Sequence, residues 1–351
     1  MRVLVTGHNG YVGSVMTSVL RDAGHEVVGL DTYLFEGCTM GPEPEDVPAL
    51  RMDLRDVEPH HLEGLDAVIH LAALCNDPLG AMHKATTYDI NREASVRLAE
   101  AAKAAGVPRF AFASSCSLYG VAGTEAVTEE SPFHPITAYG ESKVEAEHRI
   151  APLADDDFSP TFLRNATAYG PSPRLRADIV INNLVGYAIT SGEIVLNSDG
   201  SPWRPLLHVR DMAGAFLAVI EAPRDVIHNQ AFNIGTTAEN YQVKDLVRLV
   251  QDAVPGTTAR LGKEAGADPR SYRVDCSKLA RVLPAAVPTR DVRQGIAELV
   301  EAYRAHGVTA DEFFGPRFTR IKRIQALQAE GRLDDTLRWR QPAGVARGTA
   351  A

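Results

Sequence analysis

Short apolar runs alternate with longer amphipathic stretches over the first half of the chain. Arg2–Thr6, His25–Leu30, Ala67–Leu71, Arg109–Ala113 and Pro160–Arg164 are strand-length runs bounded by turn residues. Between them, Tyr11–Ala23, Ile90–Ala105 and Tyr139–Leu153 place apolar residues at helical spacing. Strands that alternate with helices in this way predict an α/β protein with a Rossmann-like, doubly wound parallel sheet.

After Gly170 the texture changes. Proline and arginine cluster in GPSPRLR, and a helical pattern follows over Ile179–Thr190. A short strand pair is expected within Ile194–Leu207, helices over Met212–Glu221 and Val243–Ala253, and a buried strand at Ala231–Ile234. Glu312–Trp339 is charged and mostly helical by pattern, and QPAGVARGTAA reads as a loose tail. The expected organisation is a dinucleotide-binding domain over 1–170, completed by about 206–236. A smaller α/β substrate-binding domain covers 171–205 and 237–320, and a helical extension with its tail covers 321–351.

The 351 residues suffice for two such domains, and 45% apolar with 23% charged residues is ordinary for a globular protein. A net charge of −9 argues against a nucleic-acid backbone binder. No apolar run is long enough to span a membrane. The chain opens directly on MRVLVTG without the pattern of a secretory leader. Cys38, Cys75, Cys116 and Cys276 are scattered, with neither a CxxC pair nor zinc-ligand spacing. A cytoplasmic protein with reduced thiols and no metal is expected.

Thr6-Gly7-His8-Asn9-Gly10-Tyr11-Val12-Gly13 follows a strand and opens a helix. Gly7 permits the tight turn, Gly10 lets the backbone approach a pyrophosphate, and Gly13 lets helix pack on strand. Asp31 closes the second strand, where a carboxylate can hold both ribose hydroxyls and repel a 2′-phosphate, favouring NAD over NADP. Asp53, in Asp53-Leu54-Arg55-Asp56, can accept from an adenine amino group or simply cap a helical turn. Tyr139 and Lys143 stand four residues apart on one helix face, where the ammonium can stabilise a phenolate.

Together these pieces resemble the extended short-chain dehydrogenase/reductase family, in particular its nucleotide-sugar epimerases and dehydratases. The resemblance runs over roughly residues 1–280, through TGHNGYVG, Asp31, DLRD (53–56), HLAA (70–73), SSCSLYG (114–120), YGESK (139–143) and RPLLHVRDMA (204–213). It implies bound NAD, held by Gly7, Asn9, Gly10, Tyr11, Val12, Gly13, Asp31, Asp53, Leu54, Leu71, Ala72, Ala73 and Lys143. It implies a catalytic set of Ser115, Tyr139 and Lys143. Ser115 would hydrogen-bond the reacting sugar oxygen, Tyr139 would move its proton, and Lys143 would hold the nicotinamide ribose and lower the Tyr139 pKa.

For the nucleotide sugar, the resemblance implies Asn183 and Leu184, in a stretch like the P-N-N-L of 4-epimerases, and Arg204 at the diphosphate. Arg174 (with Arg176), Arg270, Asn165, Thr167, Ser117 and the loop residue Asn76 are further candidates. Two positions depart from the family: Thr167 stands where the substrate asparagine is usual, and a second diphosphate arginine falls near Ala265. Dehydratases carry an Asp and a Glu where this chain has Cys116 and Ser117. Small neutral residues there suit a 4-epimerase, which needs only hydride removal, sugar rotation and hydride return. Cys116 reads either as a core filler or as a proton donor to substrate. The alternatives are a 4-ketoreductase or dehydrogenase, a UDP-glucuronate decarboxylase or 4,6-dehydratase with an atypical acid set, and a non-catalytic dinucleotide sensor. The resemblance also implies a homodimer through the Ile90–Ala105 and Tyr139–Leu153 helices.

Overall fold

The computed structural model describes residues 1–75, 80–81, 83–262 and 270–340. Fourteen strands occur among them: β1 (Arg2–Thr6), β2 (Glu26–Asp31), β3 (Ala49–Arg51), β4 (Ala67–His70), β5 (Arg109–Ser115), β6 (Val121–Val127) and β7 (Ser159–Asn165), then β8 (Thr167–Tyr169), β9 (Glu193–Leu196), β10 (Trp203–His208), β11 (Gln230–Ile234), β12 (Asn240–Gln242), β13 (Thr258–Leu261) and β14 (Ser271–Val274). Seven form one parallel sheet in the order β3-β2-β1-β4-β5-β7-β11. The chain runs outward from β1 to β3, then returns to the other side of β1 at β4. That reversal opens a crevice between β1 and β4 at the carboxyl edge, where doubly wound sheets take their ligands.

The central strands are buried on both faces, which is why they read as near-continuous apolar runs. One face packs on helices Gly13–Asp22 and Val209–Glu221 through Val5, Met16, Leu20, Phe216 and Ile220. The other packs on Ser95–Ala104 and Ala138–Ile150 through Val68, Leu98, Phe110, Phe112 and Ile150. A second core lies beyond the carboxyl edge, where Ile181, Leu184, Val185, Leu246, Ile296 and Leu299 bring together helices Val180–Thr190, Val243–Ala253 and Val292–Ala305.

Three expectations need correction. The two strands within Ile194–Leu207 exist but do not pair with each other. β9 lies parallel to β13, while β10 lies parallel to β8 and antiparallel to β12. Between them the Gly200 carbonyl accepts from Lys244 N at 2.9 Å, which ties the loop to the 243–253 helix instead of a hairpin. The helix around Ile90–Ala105 starts earlier, at Lys84, and carries a π-turn over Asp89–Ala94. Glu312–Trp339 is only partly helical: Ala310–Phe314 and Arg320–Ala329 are followed by a turn closed by a Leu333–Trp339 bridge. That turn packs back on the sheet domain, Leu333 and Leu337 meeting Leu34 and Leu74. The QPAGVARGTAA segment lies outside the described residues. Among those residues no helix is long and apolar enough to cross a membrane.

Candidate active site

The dinucleotide side of the crevice is built by the turn after β1. Gly7 has φ +71°, and a Cβ at Gly13 would stand 2.1 Å from the Gly7 carbonyl oxygen, so only glycine fits there. Gly7, Gly10, Tyr11, Val12 and Gly13 line a groove whose other wall is Leu71, Ala72 and Ala73 after β4. Thr6 couples the two walls, its hydroxyl accepting from Leu71 N and Ala72 N at 3.2 Å. His70 braces that hydroxyl at 2.7 Å from the sheet interior. Asp31 ends β2 in the groove, and its carboxylate accepts from Asn9 N at 3.0 Å and Tyr33 N at 2.7 Å. Burial pushes the Asp31 carboxyl above its ordinary value, and those two amides pull it back toward the anion. Asp53 and Leu54 close the far end. Asp53 caps the short turn Leu54–Asp56 and pairs with Arg55 at 2.7 Å. Burial opposes its charge, but Arg55 outweighs that and holds the carboxyl below its ordinary range. A glycine cradle with room for no Cβ, and a carboxylate at the ribose position, fit NAD.

The second cleft adjoins the first over Tyr11, Val12, Leu71, Ala73, Cys75 and Arg176. Strand β5 runs two residues past its expected end, and Ser115 and Asn165 are register partners at the tips of β5 and β7. The Ser115 hydroxyl accepts from Ser117 N and donates to Ser117 Oγ, both at 3.1 Å. Tyr139 and Lys143 enter from helix Ala138–Ile150, which Thr137 caps by accepting from Gly140 N at 3.1 Å. Lys143 is 1% exposed, donates to Ala113 O at 2.8 Å, and holds Nζ 5.9 Å from the centre of the Tyr139 ring.

Burial lowers the Lys143 pKa to about 8, with Cys75 and Glu147 opposing it. The ammonium is therefore present at neutral pH and lost as pH rises through that value. Turnover is expected to decline above about pH 8 for this reason, read as kcat/KM against pH. A flat profile up to pH 10 would detach Lys143 from the proton step.

Arg204, Arg270, Asn183, Thr167 and Tyr272 also line this cleft. Arg204 also donates from Nη1 to Trp203 O at 2.8 Å and to Arg270 O, which fixes its guanidinium against this chain's own backbone.

Residues 3–235 match the family described as NAD dependent epimerase/dehydratase. The chain belongs to that family. The UDP-glucose 4-epimerase of Lactobacillus helveticus is 28% identical, over 87% of this chain and 98% of that protein. The UDP-glucose 4-epimerase of Mycolicibacterium smegmatis is 29% identical, over 87% and 99%. Among solved structures, MoeE5 in complex with UDP-glucuronic acid and NAD superposes with a TM-score of 0.77 at 28% identity, covering 87% of this chain and 99% of that one.

Against the family's pattern, several expected residues stand elsewhere. Cys116 turns away from the cleft, and its thiol donates to Arg164 O at 3.1 Å among Tyr119, Tyr272 and Cys276. Burial drives that thiol well above its ordinary value, and its place in this cluster, off the cleft lining, is that of a core filler. Arg174 does not line the second cleft: its guanidinium bonds Asn9 Oδ1 at 3.1 Å, Thr39 and, at 2.7 Å, Glu43. Asn9 therefore supports the groove from behind and does not line it. Leu184 belongs to the second core. Asn76 and Ala265 lie outside the described residues. Asn165 lines the cleft with its amide nitrogen spent on Ser114 O and Leu163 O and its Oδ1 unpartnered in the protein.

Arg176, a phosphate or sugar candidate from the sequence, joins the site, whereas Tyr272 and Asn91 had not been assigned. Arg176, paired with Asp178 at 3.0 Å, stands where both clefts meet and donates to Cys75 Sγ at 3.1 Å. Tyr272 reaches the cleft from β14. Asn91, on the π-turn, holds Leu74 through both its amide groups, at 2.8 and 3.1 Å. No motif marked Tyr272 or Asn91, since one lies on a strand and the other on a helical turn whose places beside the clefts are set by tertiary packing.

Proposed function

We propose that the protein interconverts nucleotide sugars at C4, with UDP-glucose and its C4 epimer as the first pair to test. One observation carries the choice among the family's reactions. Among the described residues lining the substrate cleft, Asp178 is the only carboxylate, and Arg176 engages it. Dehydration or decarboxylation needs an acid and base beyond the C4 proton path, and no second carboxylate of the described lining offers one. The curated relatives named UDP-glucose 4-epimerase support the same reading.

The groove residues from Gly7 to Gly13, Asp31, and Leu71 to Ala73 would hold NAD, which supplies a reversible hydride acceptor. Ser115 would donate to the C4 oxygen while Tyr139 takes its proton, and the Lys143 ammonium would keep the phenolate accessible near neutral pH. Arg204 and Arg270 would grip the diphosphate by charge-assisted bonds. The sugar would then turn about that anchor against neutral walls, and Tyr139 would return the proton. A homodimer through helices Ser95–Ala104 and Ala138–Ile150 belongs to this proposal, supported by the family resemblance. So does a cytoplasmic setting, supported by four unbridged cysteines.

Incubation with UDP-glucose deuterated at C4 tests the reading. The epimer should form at unchanged mass, with the label kept and no solvent hydrogen entering C5. Loss of water or carbon dioxide, or turnover only with added NADH, would replace it with one of the family's other reactions.

A further inference from the structure

The segment after the second core returns across the dinucleotide groove. Arg320 opens helix Arg320–Ala329, is 4% exposed, and lines the groove together with Leu337. Its guanidinium lies 4.0 Å from the centre of the Phe35 ring and donates from Nη2 to Arg174 O at 2.9 Å. Nη1 is buried without a hydrogen-bond partner in the protein, and among the described residues no carboxylate forms an ion pair with Arg320. Burial, with Arg176 close by, lowers its pKa to about 10. Asp178 offsets this only in part, acting through space without an ion pair to Arg320, and an anion in the groove relieves the remaining cost of the buried cation.

The rest of the segment is fastened to the groove's rim. Arg338 forks onto Asp56 at 2.6 and 3.0 Å, and Trp339 Nε1 donates to Thr32 O at 2.5 Å. Arg323 Nε donates to Leu34 O at 3.3 Å. Ile324, Leu327 and Leu337 bury Leu34 and Leu74 beneath them. These anchors hold the loops that follow β2, β3 and β4, the three strands whose ends frame the groove.

We infer that residues 320–340 are a strap over the dinucleotide and that Arg320 Nη1 is a contact to its phosphates. The inference rests on the NAD reading of this groove. A strap of this kind slows cofactor release, which suits a reaction that returns its hydride every cycle and has no need to exchange the dinucleotide.

The test is calorimetric binding of NAD⁺, ADP and adenosine to full-length protein stripped of cofactor. Arg320→Met should weaken NAD⁺ and ADP by roughly tenfold or more, the worth of a charged hydrogen bond, and leave adenosine within about twofold. Arg320→Lys should recover part of the loss. Unchanged NAD⁺ and ADP binding, or an equal loss for adenosine, would make Arg320 a packing residue and overturn the inference. Should the Met variant not fold, Arg338→Gln loosens the strap at the surface. It should speed release of prebound NAD⁺ in a chase, and an unaltered release rate would overturn the strap. Wild-type protein that binds none of the three ligands would sink the cofactor reading itself.

Discussion

Tyr139→Phe is expected to lower epimerisation of UDP-glucose by roughly 10²- to 10⁴-fold, the span for loss of a positioned acid–base group. The phenol enters the cleft from a capped helix, with Lys143 Nζ 5.9 Å from its ring centre and Ser115 at the facing strand tip. Removing one oxygen leaves the helix, the lysine and the groove intact. NAD content and melting temperature should therefore match the wild type while kcat collapses, and KM should move little. That separation matters because most substitutions near a groove act by weakening binding. If Tyr139→Phe turned over within about tenfold of wild type, the proton would travel by another group. Tyr272, which also lines the cleft and hydrogen-bonds Ser117, would be the next residue to replace.

Arg164→Met is expected to cost about 3–5 kcal/mol of stability, the range for stripping one partner from a buried ion pair. Arg164 and Glu147 have side chains 7% and 6% exposed and meet at 2.8 Å. Burial opposes the Arg164 charge, but the bonds to Glu147 outweigh it and hold the guanidinium protonated. The arginine also donates to Tyr119 Oη at 3.2 Å and Glu129 O at 2.8 Å, and Tyr119 donates on to Asn233 Oδ1 at 2.7 Å. This network joins β7, β11 and helix Ala138–Ile150 behind the site. Without Arg164, Glu147 would be left buried with its charge uncompensated. Replacing Glu147 by Leu as well should restore much of the loss, since no ion is then left in the interior. Urea unfolding of the two variants measures both. A single variant within 1 kcal/mol of wild type would mean that water or a neighbouring group solvates Glu147.

The sheet and the cofactor groove were legible from local sequence. Fully buried parallel strands read as short apolar runs, and a glycine turn must be written in glycine because Gly13 has no space for a Cβ. The Tyr139–Lys143 pair was legible for the same reason, since helical spacing alone puts both residues on one face. Cys116 was not. It follows the last residue of β5, where the chain turns into a helical turn over Cys116–Tyr119, and that turn aims its thiol at Arg164 O instead of the cleft. Arg174 and Arg176 share one loop and one chemistry, yet Asn9 and Glu43 draw the first inward while Asp178 keeps the second at the junction of the clefts.

Sequence by itself determined the strand–helix alternation, the glycine cradle and the spacing of the Tyr139–Lys143 pair, because each depends on neighbours within a few positions. Only the tertiary structure decided which polar residues line the two clefts. It also carried Arg320 to a groove whose first residue is Gly7. Side-chain direction and burial are set by what packs from the far side, and no local pattern of residues records that.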